Sequence, residues 1–256
     1  MLEALRRVAT VVPLERAEAA RAAMLELFPE GFEELDLDTA IELVAYTDAA
    51  GEAGVRAVFG DVTASDVEVD WAERWRAFHR GFQVGPLWVG PPWDRGPGGV
   101  LAVVIEPGRA FGTGSHPTTR LCLELLWPLP RGSLLDVGCG SGVLAVAGAR
   151  LGFAPVHAVD HDADAVAATI ANAAANDVEV EVRELDALAG ELPEAETTVA
   201  NLTLEGVCAL APRIRSACLV TSGYLATDRL VLSGRTSQRR VELDGWAADV
   251  WIPAQE

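Results

Sequence analysis

Leu134-Leu135-Asp136-Val137-Gly138-Cys139-Gly140-Ser141-Gly142-Val143-Leu144 is the stretch whose reading decides the fold. An apolar run carries an acid near its end, three glycines follow at alternate positions, and an Ala/Leu/Val-rich amphipathic segment begins. That order predicts a strand, a tight turn and a helix. The glycines let the backbone take left-handed angles and approach a ligand closely. The helix start then presents amide hydrogens that have no partner inside the helix. A unit of this kind belongs to an open α/β sheet, where ligands sit beyond the carboxyl ends of the strands.

The glycine spacing narrows the ligand. A dinucleotide fingerprint needs G-x-G-x-x-G, but here glycines stand at 138, 140 and 142 and Val occupies 143. The pattern D-x-G-C-G-S-G resembles motif I of the class I S-adenosylmethionine-dependent methyltransferases. The resemblance implies a Rossmann-like, seven-stranded sheet in which Asp136, Gly138 and Gly140 hold the methionine end of S-adenosylmethionine. A second acid is expected at the end of the next strand, and Val156-His157-Ala158-Val159-Asp160 supplies it. A carboxylate at that place can accept both ribose hydroxyls.

Composition restricts the function classes. Half the residues are hydrophobic, which predicts a globular chain. The formal net charge of -18 argues against a nucleic-acid-binding surface, which should be basic. All 20 basic residues are arginine, a bias that bears little on function. Cys122, Cys139, Cys208 and Cys218 have no metal-ligand spacing and read as reduced thiols of a cytoplasmic protein, so no metal is expected. The first ten residues lack the apolar core of a signal peptide, and no run approaches the roughly 20 apolar residues of a membrane helix.

Before the glycine stretch the chain has another character. Strands are expected over 4–12, 32–38, 41–46 and 62–69, and helices over 14–28 and 49–59. This β-α-β-β-α-β order is that of a ferredoxin-like unit. Residues 1–96 hold 18 Asp+Glu against 9 Arg, so the front part offers either a solvated face or a docking face for a basic protein. Trp71, Trp75 and Phe78 fall on one face of an expected helix and read as packing. The Pro/Gly-rich residues 84–93 and 96–99 suggest a joint. The expected organisation is a ferredoxin-like substrate-recognition domain over 1–70, a linker helix and joint over 71–96, and the S-adenosylmethionine-binding domain over 97–256.

Residues 106–120 read Glu-Pro-Gly-Arg-Ala-Phe-Gly-Thr-Gly-Ser-His-Pro-Thr-Thr-Arg. Such a Gly/Thr/Pro-rich loop with one His, directly before a helix, is a binding-loop candidate. Thr118 and Thr119 can equally cap that helix. Together with the glycine stretch, P-G-x-A-F-G-T-G-x-H-x-T-T resembles the family of methyltransferases that modify ribosomal protein L11. The resemblance implies cofactor contacts from Thr119, Gly138, Asp160 and Asn201, with Phe111, Gly112 and His116 lining the same pocket. Asp186 falls where the class often places a contact to adenine, although a turn acid reads equally well.

Asn201 closes the strand Thr197-Thr198-Val199-Ala200-Asn201 and so stands at a carboxyl end. It resembles the asparagine with which related amino-methyltransferases orient the acceptor nitrogen. His116 is a candidate for taking the proton, as is solvent. After it come a helix over 204–211, a strand over 217–222, a short helix after Gly223, and a closing hairpin over 241–251. The expected function is methylation of amino groups (lysine side chains, the N-terminus, or both) on a basic ribosomal protein of the large subunit by a monomer. A metabolite methyltransferase, a silent cofactor-binding protein and, more distantly, an NAD-dependent dehydrogenase are the alternatives.

Overall fold

The computed structural model describes residues 6–28, 31–37, 39–66, 80–94, 96–106 and 116–254. The chain divides into two compact units, Met1–Phe78 and His79–Glu256. Among the described residues no helix is long and apolar enough to cross a membrane.

The first unit runs β1 (Arg6–Pro13), a 3-10 turn (Leu14–Arg16), α1 (Ala17–Leu27), β2 (Glu33–Asp36), β3 (Ala40–Thr47), α2 (Ala49–Phe59) and β4 (Thr63–Asp66). Its sheet is antiparallel throughout, in the order β2-β3-β1-β4. Strand alternation sends Ile41, Leu43 and Ala45 to one face, where they pack with Val8, Val12, Ala20, Met24 and Val55. Asp48 starts α2 by accepting from the amides of Ala50 and Gly51, both at 2.9 Å, a cap that contributes about 1 kcal/mol. We keep the ferredoxin-like assignment of this unit as a proposal resting on element order and sheet order.

The second unit begins with β5 (Phe82–Val84), β6 (Leu87–Gly90) and β7 (Leu101–Val104), which form a three-stranded sheet of their own. The linker helix and joint expected over 71–96 are kept as a proposal. Residues 71–79, with the aromatic stripe, lie outside the described residues, whereas 82–90 is paired strand. The glycines read as linker residues have a packing reason. A Cβ at Gly81 or Gly96 would stand 2.6 or 2.2 Å from the Trp88 indole. They make room for that ring.

The main sheet follows: α3 (Pro117–Leu126), β8 (Leu134–Val137), α4 (Val143–Leu151), β9 (Val156–Asp160), α5 (Ala163–Ala175), β10 (Glu181–Glu184), β11 (Thr197–Asn201), α6 (Leu204–Leu210), β12 (Cys218–Leu225), β13 (Arg235–Leu243) and β14 (Trp246–Pro253). Its order is β10-β9-β8-β11-β12-β14-β13. Strands β8 to β12 run parallel, and β14 and β13 close the edge antiparallel. The fold is the α/β, Rossmann-like seven-stranded sheet expected from the sequence. Both faces are covered: Leu134, Val156, Val199 and Val220 pack into one layer, and Leu135, Val137, Val159 and Leu219 into the other. Among the described residues no helix follows Gly223. β12 bulges between Ser222 and Tyr224 and continues to Leu225, and the hairpin occupies 235–253, longer than expected. The bulge keeps Tyr224 on the buried side, where its hydroxyl reaches Asp249 at 2.8 Å.

Candidate functional site

The carboxyl ends of β8, β9 and β11 converge on one place, and the glycine turn lies at its centre. Gly138, Gly140 and Gly142 all have positive φ (72°, 52° and 79°), the left-handed region that the alternate glycines predicted. The Gly138 and Cys139 amides donate to the Val159 carbonyl at 2.9 and 3.1 Å, and Gly142 donates to Cys139 at 2.7 Å. The turn is thereby tied to the next strand before α4 starts.

Asp136 shares a face with Leu134, the face covered by α3 and α4, and is 1% exposed. Its Oδ2 accepts from the Ala145 amide at 3.0 Å, one of the amides that the first turn of α4 leaves without a helical partner. Its Oδ1 is buried with no protein partner. Burial pushes the carboxyl up to about 7, the Ala145 amide pulls it down, and the negative charge of Asp160 adds to the rise. A dry carboxylate with one oxygen unpaired is costly unless a ligand cation or hydrogen-bond donor meets it.

Asp160 ends β9. Its Oδ2 accepts from the Gly140 amide at 3.0 Å and its Oδ1 from Asp162 at 3.1 Å. Each oxygen keeps a further lone pair. The two acids expected from the sequence therefore bracket the glycine turn, Asp136 beneath the helix start and Asp160 at its outer side.

From the other flank come α3 and β11. Thr119, 1% exposed, lies in the first turn of α3. The Asn201 side-chain amide donates to the Thr119 hydroxyl at 3.4 Å. This fixes Nδ2 on Thr119 and leaves Oδ1 as the acceptor end of the amide. Past Asn201, the chain turns against β12. The Leu202 amide donates to the Ser222 carbonyl at 3.0 Å, and a Cβ on Gly223 would stand 1.9 Å from the Leu202 oxygen.

His116 is the N-cap of α3. Its Nδ1 accepts from the Thr118 amide at 3.3 Å and lies 2.8 Å from the Thr118 hydroxyl. An amide can only donate, so Nδ1 is unprotonated in this arrangement. The ring stands edge-on to Trp246, with centroids 5.0 Å apart. Partial burial lowers its pKa. The capping that the sequence offered to Thr118 or Thr119 thus falls to His116. Asp186 is exposed, and its Oδ1 accepts from the Leu188 amide at 2.8 Å, the local geometry of a turn acid. Phe111 and Gly112 lie outside the described residues.

Several contributors escaped the sequence reading. Thr169 and Asn172 on α5 are buried and bond to the glycine-turn backbone, and Asn176, its buried C-cap, bonds to Val104. Their spacing of three and four residues in an alanine-rich helix was the available signal. Buried Asp249 receives Tyr224, Ser237 and Arg240 at 2.8, 3.1 and 2.9 Å and fastens the closing hairpin. A cavity of about 610 Å³ lies at the opposite end of β8 and β11, by Ser133, Glu196 and Ser216, away from all these residues.

Comparison with known proteins identifies relatives of the chain. The family profile described as ribosomal protein L11 methyltransferase (PrmA) matches residues 16–247. The ribosomal protein L11 methyltransferase of Thiobacillus denitrificans is 42% identical over 204 residues, covering 75% of this chain and 67% of that protein. The protein of the same description from Myxococcus xanthus is 39% identical over 184 residues, covering 68% of this chain and 60% of that protein. The matched part of the chain thus spans about 60 to 67% of the length of these two relatives. A crystal structure of ribosomal protein L11 methylase from Lactobacillus delbrueckii subsp. bulgaricus superposes with a TM-score of 0.61 at 23% identity, covering 69% of this chain and all of that one.

Proposed function

The chain belongs to the ribosomal protein L11 methyltransferase family, and from that premise we propose that it transfers methyl groups from S-adenosylmethionine to amino groups of ribosomal protein L11. The acceptors are lysine side chains, the N-terminus, or both. The observation that carries this reading is the convergence of two acids, a left-handed glycine turn and Asn201 at three adjoining strand ends.

The residues fit S-adenosylmethionine. The orphaned Oδ1 of Asp136 is an acceptor for the ammonium of an amino acid. Gly138 has φ +72°, which strains any side chain, and a Cβ there would meet the tip of Leu202 at 2.5 Å. The Asp160 carboxylate stands where nucleotide-binding α/β folds accept ribose hydroxyls. Thr119, Gly138, Gly140 and Asn201 are the further proposed contacts, with Asp186 proposed for the adenine; Phe111 and Gly112, which the resemblance implies, lie outside the described residues. When bound, S-adenosylmethionine supplies an activated methyl group and a neutral thioether leaving group.

The chain's own residues mainly orient and exclude water. An ammonium has no lone pair, so the acceptor amine must be neutral. Asn201 Oδ1 accepts one of its N–H groups and aims the lone pair, while Thr119 holds the amide of Asn201 in place. Solvent takes the proton after transfer. His116 Nδ1 is committed to the start of α3, which favours an architectural role over that of base.

The acidic charge suits a basic protein partner rather than nucleic acid, and the front unit is the proposed docking face. The enzyme is proposed to act as a monomer in the cytoplasm, where ribosomal proteins are made.

A transfer assay tests the reading. The protein, S-adenosylmethionine labelled in the methyl group, and bacterial ribosomal proteins are mixed and resolved on a gel. A single labelled band at the mass of L11, lost with Asp160→Ala, is expected. Label on a metabolite instead, or cofactor binding without any transfer, would replace this reading with another.

A further inference from the structure

The polar stripe of α5 faces the carbonyl side of the glycine turn. Thr169 Oγ1 donates to the Gly140 carbonyl at 3.0 Å, and Asn172 Nδ2 donates to the Ser141 carbonyl at 2.8 Å. Thr169 is fully buried and Asn172 is 3% exposed. The approach is close: a Cβ at Gly142 would stand 2.7 to 3.0 Å from three atoms of Thr169. Asn172 also has a second partner, since its Oδ1 accepts from the Glu106 amide at 3.0 Å. One turn later, Asn176 accepts from the Val104 amide at 2.8 Å and donates to the Val104 carbonyl at 2.6 Å.

A trans peptide is planar, with its carbonyl and N–H pointing in opposite directions. Holding a carbonyl from one side therefore aims the following N–H to the other. Left-handed glycines are the residues least able to hold such an orientation by themselves, because their backbone is the freest. The turn needs an external hold, and α5 provides it at two successive carbonyls. Through Asn172 the same helix grips Glu106, the last described residue before the 107–115 segment.

We propose that Thr169 and Asn172 are positioning residues, which orient the glycine turn for S-adenosylmethionine by holding its carbonyls and tie that turn to the β7 strand exit. Asn176 is different. It fastens β7 to α5 and has no bond to the turn, so it contributes to stability alone. This inference rests on the proposed cofactor.

Two measurements on the full chain test it. Calorimetric titration with S-adenosylmethionine is compared for wild type, Thr169→Val, Thr169→Ser and Asn176→Leu, alongside thermal melts. Thr169→Val keeps the shape and removes only the hydroxyl, and should weaken binding by about tenfold or more, the effect of leaving a buried carbonyl unpaired. Thr169→Ser should restore it. Asn176→Leu should lower the melting temperature with binding near wild type. Amide hydrogen exchange without cofactor should be faster at Ser141 and Gly142, which follow the held Gly140 carbonyl, in Thr169→Val and unchanged there in Asn176→Leu. Wild-type binding by Thr169→Val, or affinity losses that simply follow melting temperature across the variants, would overturn the inference. Wild-type protein that binds no S-adenosylmethionine would sink the cofactor reading instead. In that event unchanged exchange in Thr169→Val would also remove the hold on the turn, and faster exchange would keep it.

Discussion

The side-chain amide of Asn201 lies 3.4 Å from the Thr119 hydroxyl, across 82 residues of sequence. One residue closes a parallel strand and the other opens a helix. The contact sets which end of the Asn201 amide remains an acceptor. Asn201→Ala should lower turnover on the protein substrate by about two orders of magnitude, the usual scale for a positioned polar group. Affinity for S-adenosylmethionine should fall much less. Steady-state kinetics together with calorimetry separates the two. An equal loss in both would assign Asn201 to cofactor binding alone.

Asp136 makes the stability of the unliganded protein depend on pH. Its folded pKa, about 7, lies above the ordinary aspartate value, so the folded state binds a proton that the unfolded state has released. The corresponding stability is present below about pH 4 and is lost as pH rises through about 7. Asp136→Asn should flatten that trend and raise stability at pH 8 by about 1–3 kcal/mol, while weakening cofactor binding. Urea melts at pH 5.5 and 8 check this, and a mutant less stable than wild type at pH 8 would contradict it.

Gly223 is required by the Leu202 carbonyl. Its φ is +102°, and an added Cβ would stand 1.9 Å from that oxygen. Gly223→Ala should cost at least about 1–3 kcal/mol from backbone conformation alone, and it should displace the chain after Asn201. The expected result is a lowered melting temperature with a fall in turnover larger than that of a distant variant of equal stability.

His116 offers a choice between cap and base. Asn caps helices well, so His116→Asn should keep turnover within about threefold of wild type and His116→Ala should lose about 1 kcal/mol of stability. Burial depresses the His116 pKa, so its neutral form persists to below the ordinary histidine range. Its contribution to stability is full above about pH 6.5 and falls as pH drops through the depressed folded value. A collapse of turnover in His116→Asn at full stability would make the imidazole the base after all.

If the acidic front unit docks a basic protein, the KM for ribosomal protein L11 should rise with ionic strength, because exposed charges are screened beyond about 8 Å at physiological salt. The KM for S-adenosylmethionine should change little. Parallel salt dependence of both constants would remove the docking role.

What the sequence by itself determined is local. Glycines at alternate positions between an apolar run and an amphipathic one permit a left-handed turn where a side chain would strain the backbone. The stretches 49–59 and 197–201 likewise read as helix and strand from their residues, and an acid or amide as the last residue of a strand is a matter of counting. The tertiary structure decided what those residues touch. Gly81 and Gly96 read as linkers because an indole seven residues from one and eight from the other is invisible in composition. His116 stayed open between base and bystander because its Nδ1 partner is an amide oriented only when α3 forms. The hold of Thr169 and Asn172 on the glycine turn spans 29 and 31 residues. It exists because a carbonyl turned away from a ligand must find a donor on whichever helix the sheet packs behind it.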